Sequence, residues 1–344
     1  MHEFYCGNGY MKTQIFDDQF IVITGAAGFI GSGIVRHLND KGFFNLVLVD
    51  NFDKGDKWKN LRHKRFAEFI APEDLFDFLE GREQDVEAFV HLGACSDVTE
   101  TDGDYMFHNN YRFSIDLAEY ALENSHRFIY ASSAATYGDG SLGFADDVTQ
   151  LDALCALNLY GFSKHMFDKW LYEQNVLDQV VGLKYFNIFG PNEGHKGRMT
   201  SMVTHMVNQI QKTGRVKLFK STDPKRFKDG EQCRDFFYVK DAVKMTALFL
   251  DHDLNGIFNV GSGDATTWNE LAEFVFDALG EKKQIEYIPL PEDLKGCYQN
   301  YTRADMTKFY RTIKEKNITY LPDFTLKSAI EDYVNIHLLK GVEW

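Results

Sequence analysis

Tyr160 and Lys164 lie four positions apart in LYGFSK, a spacing that stacks two side chains on one face of a helix. A phenol beside an ammonium can move protons. A free tyrosine titrates near ~10, too high for a base at neutral pH, but a neighbouring cation favours the phenolate, and an oxidised nicotinamide would add a second positive charge. Ser133, in SSAATYG, ends an apolar run upstream, and its hydroxyl can hold a reacting oxygen between phenol and cofactor. Alone, Tyr160 reads as an ordinary packed helix residue, so its weight comes from the company it keeps.

That company begins with TGAAGFIGS, Thr24 to Ser32, which sets Gly25, Gly28 and Gly31 three residues apart between an apolar run and a helical pattern. Glycine there allows a sharp turn, a close approach of backbone N–H groups to a pyrophosphate, and tight helix packing, with the helix N-terminus favouring the anion. Asp50 follows nineteen residues after Gly31, where a carboxylate accepts from ribose hydroxyls and disfavours a 2′-phosphate. These residues predict a bound dinucleotide. Asp50 argues for NAD, whereas Asn51, Lys54 and Lys57 place cations near a 2′-phosphate, so the residues themselves leave NAD and NADP open. Arg234 suits bidentate diphosphate recognition, with an ion pair to Asp235 as the plainer alternative. His91 stands without a Cys, Asp or Glu at ligand spacing, so it reads as a hydrogen-bonded strand residue and no metal is expected.

The elements that must position these groups alternate short apolar runs with helical periods. FIVIT (Phe20 to Thr24), LVLVD (Leu46 to Asp50), AEFI (Ala67 to Ile70), AFVHL (Ala88 to Leu92), RFIYAS (Arg127 to Ser132) and VVGLKY (Val180 to Tyr185) read as strands buried on both faces. Helices are expected over Gly31 to Asn39, Asp74 to Glu80, Asn110 to Glu123 and Leu157 to Gln174. The pattern predicts an α/β fold: a doubly wound parallel sheet of the Rossmann kind with a smaller, mixed C-terminal substrate domain. Residues 1–19 read as a loose arm, 20–190 as the dinucleotide domain, and 191–344 mainly as the substrate domain. IFNVG (Ile257 to Gly261) is able to return to the main sheet, and helices around Met199 to Lys212 and Leu326 to Leu339 to cover a cleft.

A chain of 344 residues with 44% hydrophobic side chains is long and apolar enough for a sizeable core, and its net charge of −14 disfavours nucleic acid and anionic membrane as partners. Five scattered cysteines without a CxxC pair argue against a disulfide framework or structural zinc. The first ten residues lack a secretory pattern and no apolar stretch is long enough to span a bilayer, so a cytoplasmic protein is expected.

Together, TGxxGFIG, the Ser-rich strand end and YxxxK resemble the extended short-chain dehydrogenase/reductase family, many of whose members are nucleotide-sugar epimerases and dehydratases. LGACSD (Leu92 to Asp97), YFNIFGPNEGHKGRM (Tyr185 to Met199), LFKS (Leu218 to Ser221), RDFFYV (Arg234 to Val239), FNVGSG (Phe258 to Gly263) and IEYIPLPEDLKGCYQNYTRADM (Ile285 to Met306) are similar to the ADP-glyceromanno-heptose 6-epimerase group within it. The resemblance runs from about Phe20 to the C-terminus, and GHKG is its most specific part.

The resemblance implies an ADP-sugar substrate and epimerisation at C6 of the heptose by transient oxidation and re-reduction with bound NADP, supplying heptose for lipopolysaccharide core. It assigns the two proton-handling roles to Tyr160 and Lys196, with Lys164 at the nicotinamide ribose and Ser133 at the reacting oxygen. It places Phe29, Ile30, Asp50, Asn51, Lys57, Leu92, Gly93, Ala94, Cys95, Ser96, Asn109 and Ile188 around the cofactor. It places Asn187, Arg198, His205, Phe219, Lys220, Ser221, Thr222, Arg234 and Tyr298 around the sugar nucleotide. Two departures stand out. Arg198 is a bulky cation where the group has a small polar residue, and no second adenosine-side lysine occurs near Pro72 and Glu73, which keeps NAD open. A homo-oligomer is also implied. The rival readings are a UDP-hexose 4-epimerase, a 4,6-dehydratase, for which SSAATYG lacks the usual carboxylate, and a non-catalytic NAD(P)-binding module whose improbability rests on the intact Tyr160 and Lys164.

Overall fold

The computed structural model describes residues 18–52, 54–292 and 298–344. The first seventeen residues of the expected arm, with Cys6, and also Cys297, lie outside the described residues.

Apolar runs buried on both faces can satisfy their backbones only against one another, and they do so in parallel. In chain order the first half contains β1 (Phe20–Thr24), α1 (Phe29–Asp40), β2 (Leu46–Val49), β3 (Glu68–Ile70), α2 (Leu75–Leu79) and β4 (Val86–His91). It continues with α3 (Gly103–Phe107), α4 (Phe113–Glu123), β5 (Arg127–Ser133), α5 (Leu159–Glu173) and β6 (Val180–Tyr185). The second half runs β7 (Asn187–Phe189), α6 (Met202–Thr213), β8 (Val216–Phe219), β9 (Cys233–Arg234), β10 (Phe236–Tyr238), α7 (Val239–Asp251) and β11 (Gly256–Val260). Then come β12 (Thr266–Thr267), α8 (Trp268–Leu279), β13 (Ile285–Ile288), α9 (Thr307–Glu315) and α10 (Leu326–Asp332).

Seven of these strands form one parallel sheet in the order β11-β6-β5-β4-β1-β2-β3. The chain winds outward from β1 to β3 and then crosses back to β4, so strand order reverses between β1 and β4, which opens a crevice at their carboxyl ends. Alternation along the strands feeds two cores. Ile21 and Ile23 pack with α1 and α7 on one face, while Val22, Val47 and Phe89 pack with α4 and α5 on the other. The IFNVG segment does return to the sheet, since β11 pairs with β6 in register from Gly256 opposite Val181 to Val260 opposite Tyr185. Beyond the sheet, short pairs β7 with β10, β9 with β12 and β8 with β13 build the smaller C-terminal region.

Two helix expectations change. The span 74–80 is a single α turn, Leu75–Leu79, entered through a tighter turn at Pro72–Asp74, because proline at the first position favours that entry. The helix expected from Asn110 already starts at Gly103 and passes through a widened turn at His108–Arg112 before α4. Among the described residues no helix is long and apolar enough to cross a membrane.

Candidate active site

The glycine turn is shaped by a close approach between β1 and β4. Gly25 has φ +67°, and a Cβ there would stand 2.7 Å from the Gly93 nitrogen; one on Gly31 would overlap the Gly25 carbonyl oxygen. Thr24 Oγ1 accepts from the Gly93 N–H at 3.0 Å and lies 2.6 Å from His91 Nδ1, whose Nε2 is 2.8 Å from Ser114 Oγ. Burial, then the Lys164 charge, lowers the His91 pKa to about 3. His91 is therefore a neutral brace behind the turn. Gly28 caps α1 without a side-chain acceptor, which leaves the N–H groups of the first turn free for an anion.

Asp50 is buried at the end of β2. Its Oδ2 accepts from Ala27 N at 2.8 Å, and its Oδ1 accepts from Asn51 N at 2.8 Å and from Lys57 Nζ at 2.5 Å. Turn, uncapped helix, carboxylate and lysine converge on one cavity of about 560 Å³, and this donor and acceptor set fits a nicotinamide dinucleotide.

Of the residues expected at the cofactor, Gly25, Gly28, Phe29, Ile30, Gly31, Asp50, Lys57, Leu92, Gly93, Ala94, Cys95, Ser96, Lys164, Ile188 and Lys196 line this cavity. Asn51 and Asn109 do not. Asn51 contributes main-chain atoms to the Asp50 and Lys57 bonds. Asn109 turns back to the Tyr105 carbonyl at 2.8 Å, while its neighbour Asn110 is buried and reaches inward to Cys95 N, Cys95 O and Ser163 Oγ. The widened turn sets that phase, so Asn110 holds the Cys95 backbone in place. Phe52, Lys54, Asp97, His195 and Met199 also line the cavity; of these, Lys54 was singled out from the sequence beside Asp50 and His195 belongs to the GHKG run, while none of the other three was given a role.

Ser133, Tyr160 and Lys164 reach the same cavity because α5 is pressed against the segment after β5. Asn158 caps α5 by accepting from Gly161 N at 2.8 Å, and a Cβ on Gly161 would come 2.8 Å from the Ala135 oxygen. Burial raises the Tyr160 pKa, against a hydrogen bond with Ser133 that lowers it. Burial pulls Lys164 down to about 8, opposed by the Asp168 carboxylate. The expected lowering of Tyr160 by Lys164 is not among the influences on the phenol, and without the cofactor's charge desolvation dominates. Lys196 arrives from the loop after β7, its Nζ 5.3 Å from the Phe29 ring centroid. Burial lowers its pKa, opposed by Glu193.

The residues expected at the sugar nucleotide, Ser133 apart, sit outside that cavity's wall. Arg234 is buried, with its guanidinium 5.2 Å from the Tyr298 ring centroid and 5.6 Å from that of Trp268. It donates to the carbonyls of Cys233 and Gln299. The alternative ion pair with Asp235 is absent, because that carboxylate accepts instead from Ser262, Gly263 and Ala304 N–H groups. Phe219 meets Tyr298 edge-on at 6.2 Å, and Thr222 donates to Asn300 at 3.0 Å. Lys220 is exposed and its backbone N–H donates to Ile288 O, while Ser221 N donates to Asp229 Oδ1. Asn187 donates to Asp235 O at 3.1 Å. His205 Nε2 lies 3.1 Å from Arg198 O. Arg198 itself is exposed and turned to Asp97 at 3.2 Å and Thr99 at 2.5 Å, so its charge is already engaged at the cavity rim.

The profile of the NAD dependent epimerase/dehydratase family matches residues 21–261. The chain belongs to that family. An ADP-L-glycero-D-manno-heptose-6-epimerase of Nitratidesulfovibrio vulgaris strain Hildenborough is 48% identical over 320 residues, covering 92% of this chain and 97% of that one. A protein of the same name from Fusobacterium nucleatum is 42% identical, with 93% and 98% covered. The crystal structure of the Helicobacter pylori ADP-L-glycero-D-manno-heptose-6-epimerase has a TM-score of 0.76 at 30% identity, covering 93% of this chain and 96% of that one. Membership of this epimerase family gives the cavity's cradle its meaning as a nicotinamide site, and Ser133, Tyr160, Lys164 and Lys196 stand on the wall of the same cavity.

Proposed function

We propose that this family member epimerises C6 of ADP-glycero-manno-heptose, with NADP as its cofactor. The observation that carries the reading is the meeting of Ser133, Tyr160, Lys164 and Lys196 on the wall of the cavity that also holds the glycine turn and Asp50. The names of relatives at 42% and 48% identity supply the substrate. When bound, the nicotinamide supplies a hydride acceptor and donor for C6, so oxidation and re-reduction leave no net redox change.

The chain's own residues supply everything else. The Ser133 hydroxyl holds the C6 oxygen by a hydrogen bond, and the phenol of Tyr160, which is linked to Ser133, exchanges a proton with that oxygen. The second epimer presents its hydroxyl from the other face, and Lys196 Nζ serves it. Burial shifts the two groups in opposite senses: it raises the phenol, so Tyr160 keeps the proton it has to donate, and lowers the amine, so more of Lys196 is unprotonated and able to accept one. The Lys164 ammonium, one helical turn from Tyr160, orients the nicotinamide ribose. NADP is favoured by Lys54 and Lys57, which bring two ammonium groups to the cavity beside Asp50.

Tyr160→Phe combined with Lys196→Met should abolish interconversion of the two ADP-heptose epimers while the nicotinamide cofactor stays bound, as followed by absorbance. Undiminished turnover overturns the assignment. Assay of UDP-galactose beside ADP-heptose separates this reading from a 4-epimerase of the same family.

A further inference from the structure

Lys196 sits in a loop that has every reason to wander. Gly194 and Gly197 flank it, a Cβ at either would meet open space, and Gly197 has φ +54°. Glycines in such a loop leave many conformations open, yet a proton-transfer group must be held in place to within about 1 Å.

Glu193 fixes both ends of that loop. Its side chain is almost wholly removed from water, 1% exposed, and its carboxylate accepts four hydrogen bonds. Oε2 accepts from the Ser201 backbone N–H at 2.7 Å, and Oε1 accepts from the hydroxyls of Ser201 at 2.6 Å, Thr204 at 2.8 Å and Tyr333 at 2.8 Å. Ser201 and Thr204 begin α6, where the loop ends, and Tyr333 follows α10. At the near end the Glu193 carbonyl accepts from Lys196 N–H at 2.9 Å, closing the turn that presents the lysine. The residue before it is pinned too. Asn192 donates to Ser32 Oγ at 3.0 Å, on the first turn of α1, and to the Trp344 carbonyl at 2.8 Å.

We propose that Glu193 is a positioning residue for Lys196, clasping the start of the lysine's loop to its end and to the C-terminal helix. The inference rests on the reading of Lys196 as one of the two proton-handling groups. Glu193 does not touch the reacting carbon; it acts through the lysine. Its negative charge also favours the ammonium form of Lys196, which burial disfavours, and so helps the amine hold its proton between the two half-reactions.

The test is a double-mutant cycle on the cofactor-loaded enzyme, measuring interconversion of the ADP-heptose epimers for Glu193→Ala, Glu193→Gln, Lys196→Met and Glu193→Ala with Lys196→Met. Glu193→Ala should lower kcat about 100-fold with KM within about threefold. Glu193→Gln should recover to within about fivefold of wild type, because its amide oxygen still accepts from Ser201 N–H and two of the three hydroxyls can rotate to accept from the two N–H donors of its NH₂. Added to Lys196→Met, Glu193→Ala should lower the residual rate less than about threefold, since groups acting as a unit are not additive. If the two losses multiply, or Glu193→Ala retains wild-type kcat while Lys196→Met does not, the inference is overturned and the reading of Lys196 stands. If Lys196→Met itself keeps wild-type kcat, both fall. Should Glu193→Ala not fold, Tyr333→Phe removes one donor alone; it should lower kcat about fivefold in the wild type and leave the Lys196→Met rate unchanged, and multiplying effects there overturn the inference equally.

Discussion

Removing the Lys184 ammonium should destabilise the whole sheet. Lys184 and Asp168 are 1% and 0% exposed. Lys184 Nζ donates to Asp168 Oδ2 at 2.7 Å and to Thr136 Oγ1 at 2.6 Å, while the same carboxylate accepts from Tyr130 OH at 2.9 Å and Ser132 Oγ at 2.8 Å. The network joins β5, the segment after it, α5 and β6, directly behind Ser133 and one turn beyond Lys164. Lys184→Met leaves a carboxylate at full depth without its cation, a loss of about 3–5 kcal/mol. Unfolding entropy of about 2.1 cal/mol/K per residue gives about 0.7 kcal/mol/K for a chain of this length, so Tm should fall by about 4–7 °C. Arg36→Ala is the control. It breaks the Arg36–Asp40 pair, whose side chains are 42% and 60% exposed, and such surface pairs contribute about 0.2–1 kcal/mol, a shift of about 1.5 °C at most by the same entropy. Differential scanning calorimetry of the cofactor-free variants at one pH measures both. Adding Asp168→Asn to Lys184→Met removes the uncompensated charge and should restore part of the loss. A Lys184→Met protein that melts with the Arg36→Ala control would refute the reasoning, because the pair would then be contributing no more than a solvated one.

Lys57→Ala should weaken NADP binding about tenfold and NAD by less than about threefold, since an ammonium matters most to a 2′-phosphate; equal losses by isothermal titration would remove the NADP assignment. The Lys164 pKa is pulled down by burial from its ordinary value to about 8. Between about pH 8 and 10.5 the unfolded chain therefore holds the Lys164 proton that the native cavity has lost, so the site's contribution to stability rises with pH across that window. The Tm of the cofactor-free protein relative to Lys164→Met should rise from pH 8 to pH ~9.5, and a flat difference would show that the ammonium is not buried at a cost.

What could be read in advance was whatever is local. VVGLKY stands as β6 at the same residues as expected, because a strand covered on both faces leaves an unbroken apolar run. The glycine turn, Ser133 and the Tyr160/Lys164 pair were legible for a related reason: each needs specific residue types at fixed short spacing, and the order of strands then carries them all to the crevice between β1 and β4. Asn109 shows how narrow that legibility is. Two adjacent asparagines differ in sequence by nothing but phase, and the widened turn at His108–Arg112 decides that Asn110 points inward.

Positioning contacts obey another rule. Glu193 meets Tyr333 across 140 residues, and Arg198 meets Thr99 across 99. A buried polar cluster is specified by completeness, every donor matched to an acceptor, and not by any period along the chain. It therefore leaves no repeating trace for a sequence reading to find. Asp168 is the instructive exception. It follows Tyr160 and Lys164 at the same four-residue step, so all three share one helix face, and a carboxylate on that face has to be either solvated or matched. In this fold that face is turned into the sheet, water is excluded, and the match must come from inside. Lys184 in an otherwise apolar strand is the partner that answers it. Read together, the lone carboxylate on a buried helix face and the lone lysine in a buried strand predict each other, which neither does by itself.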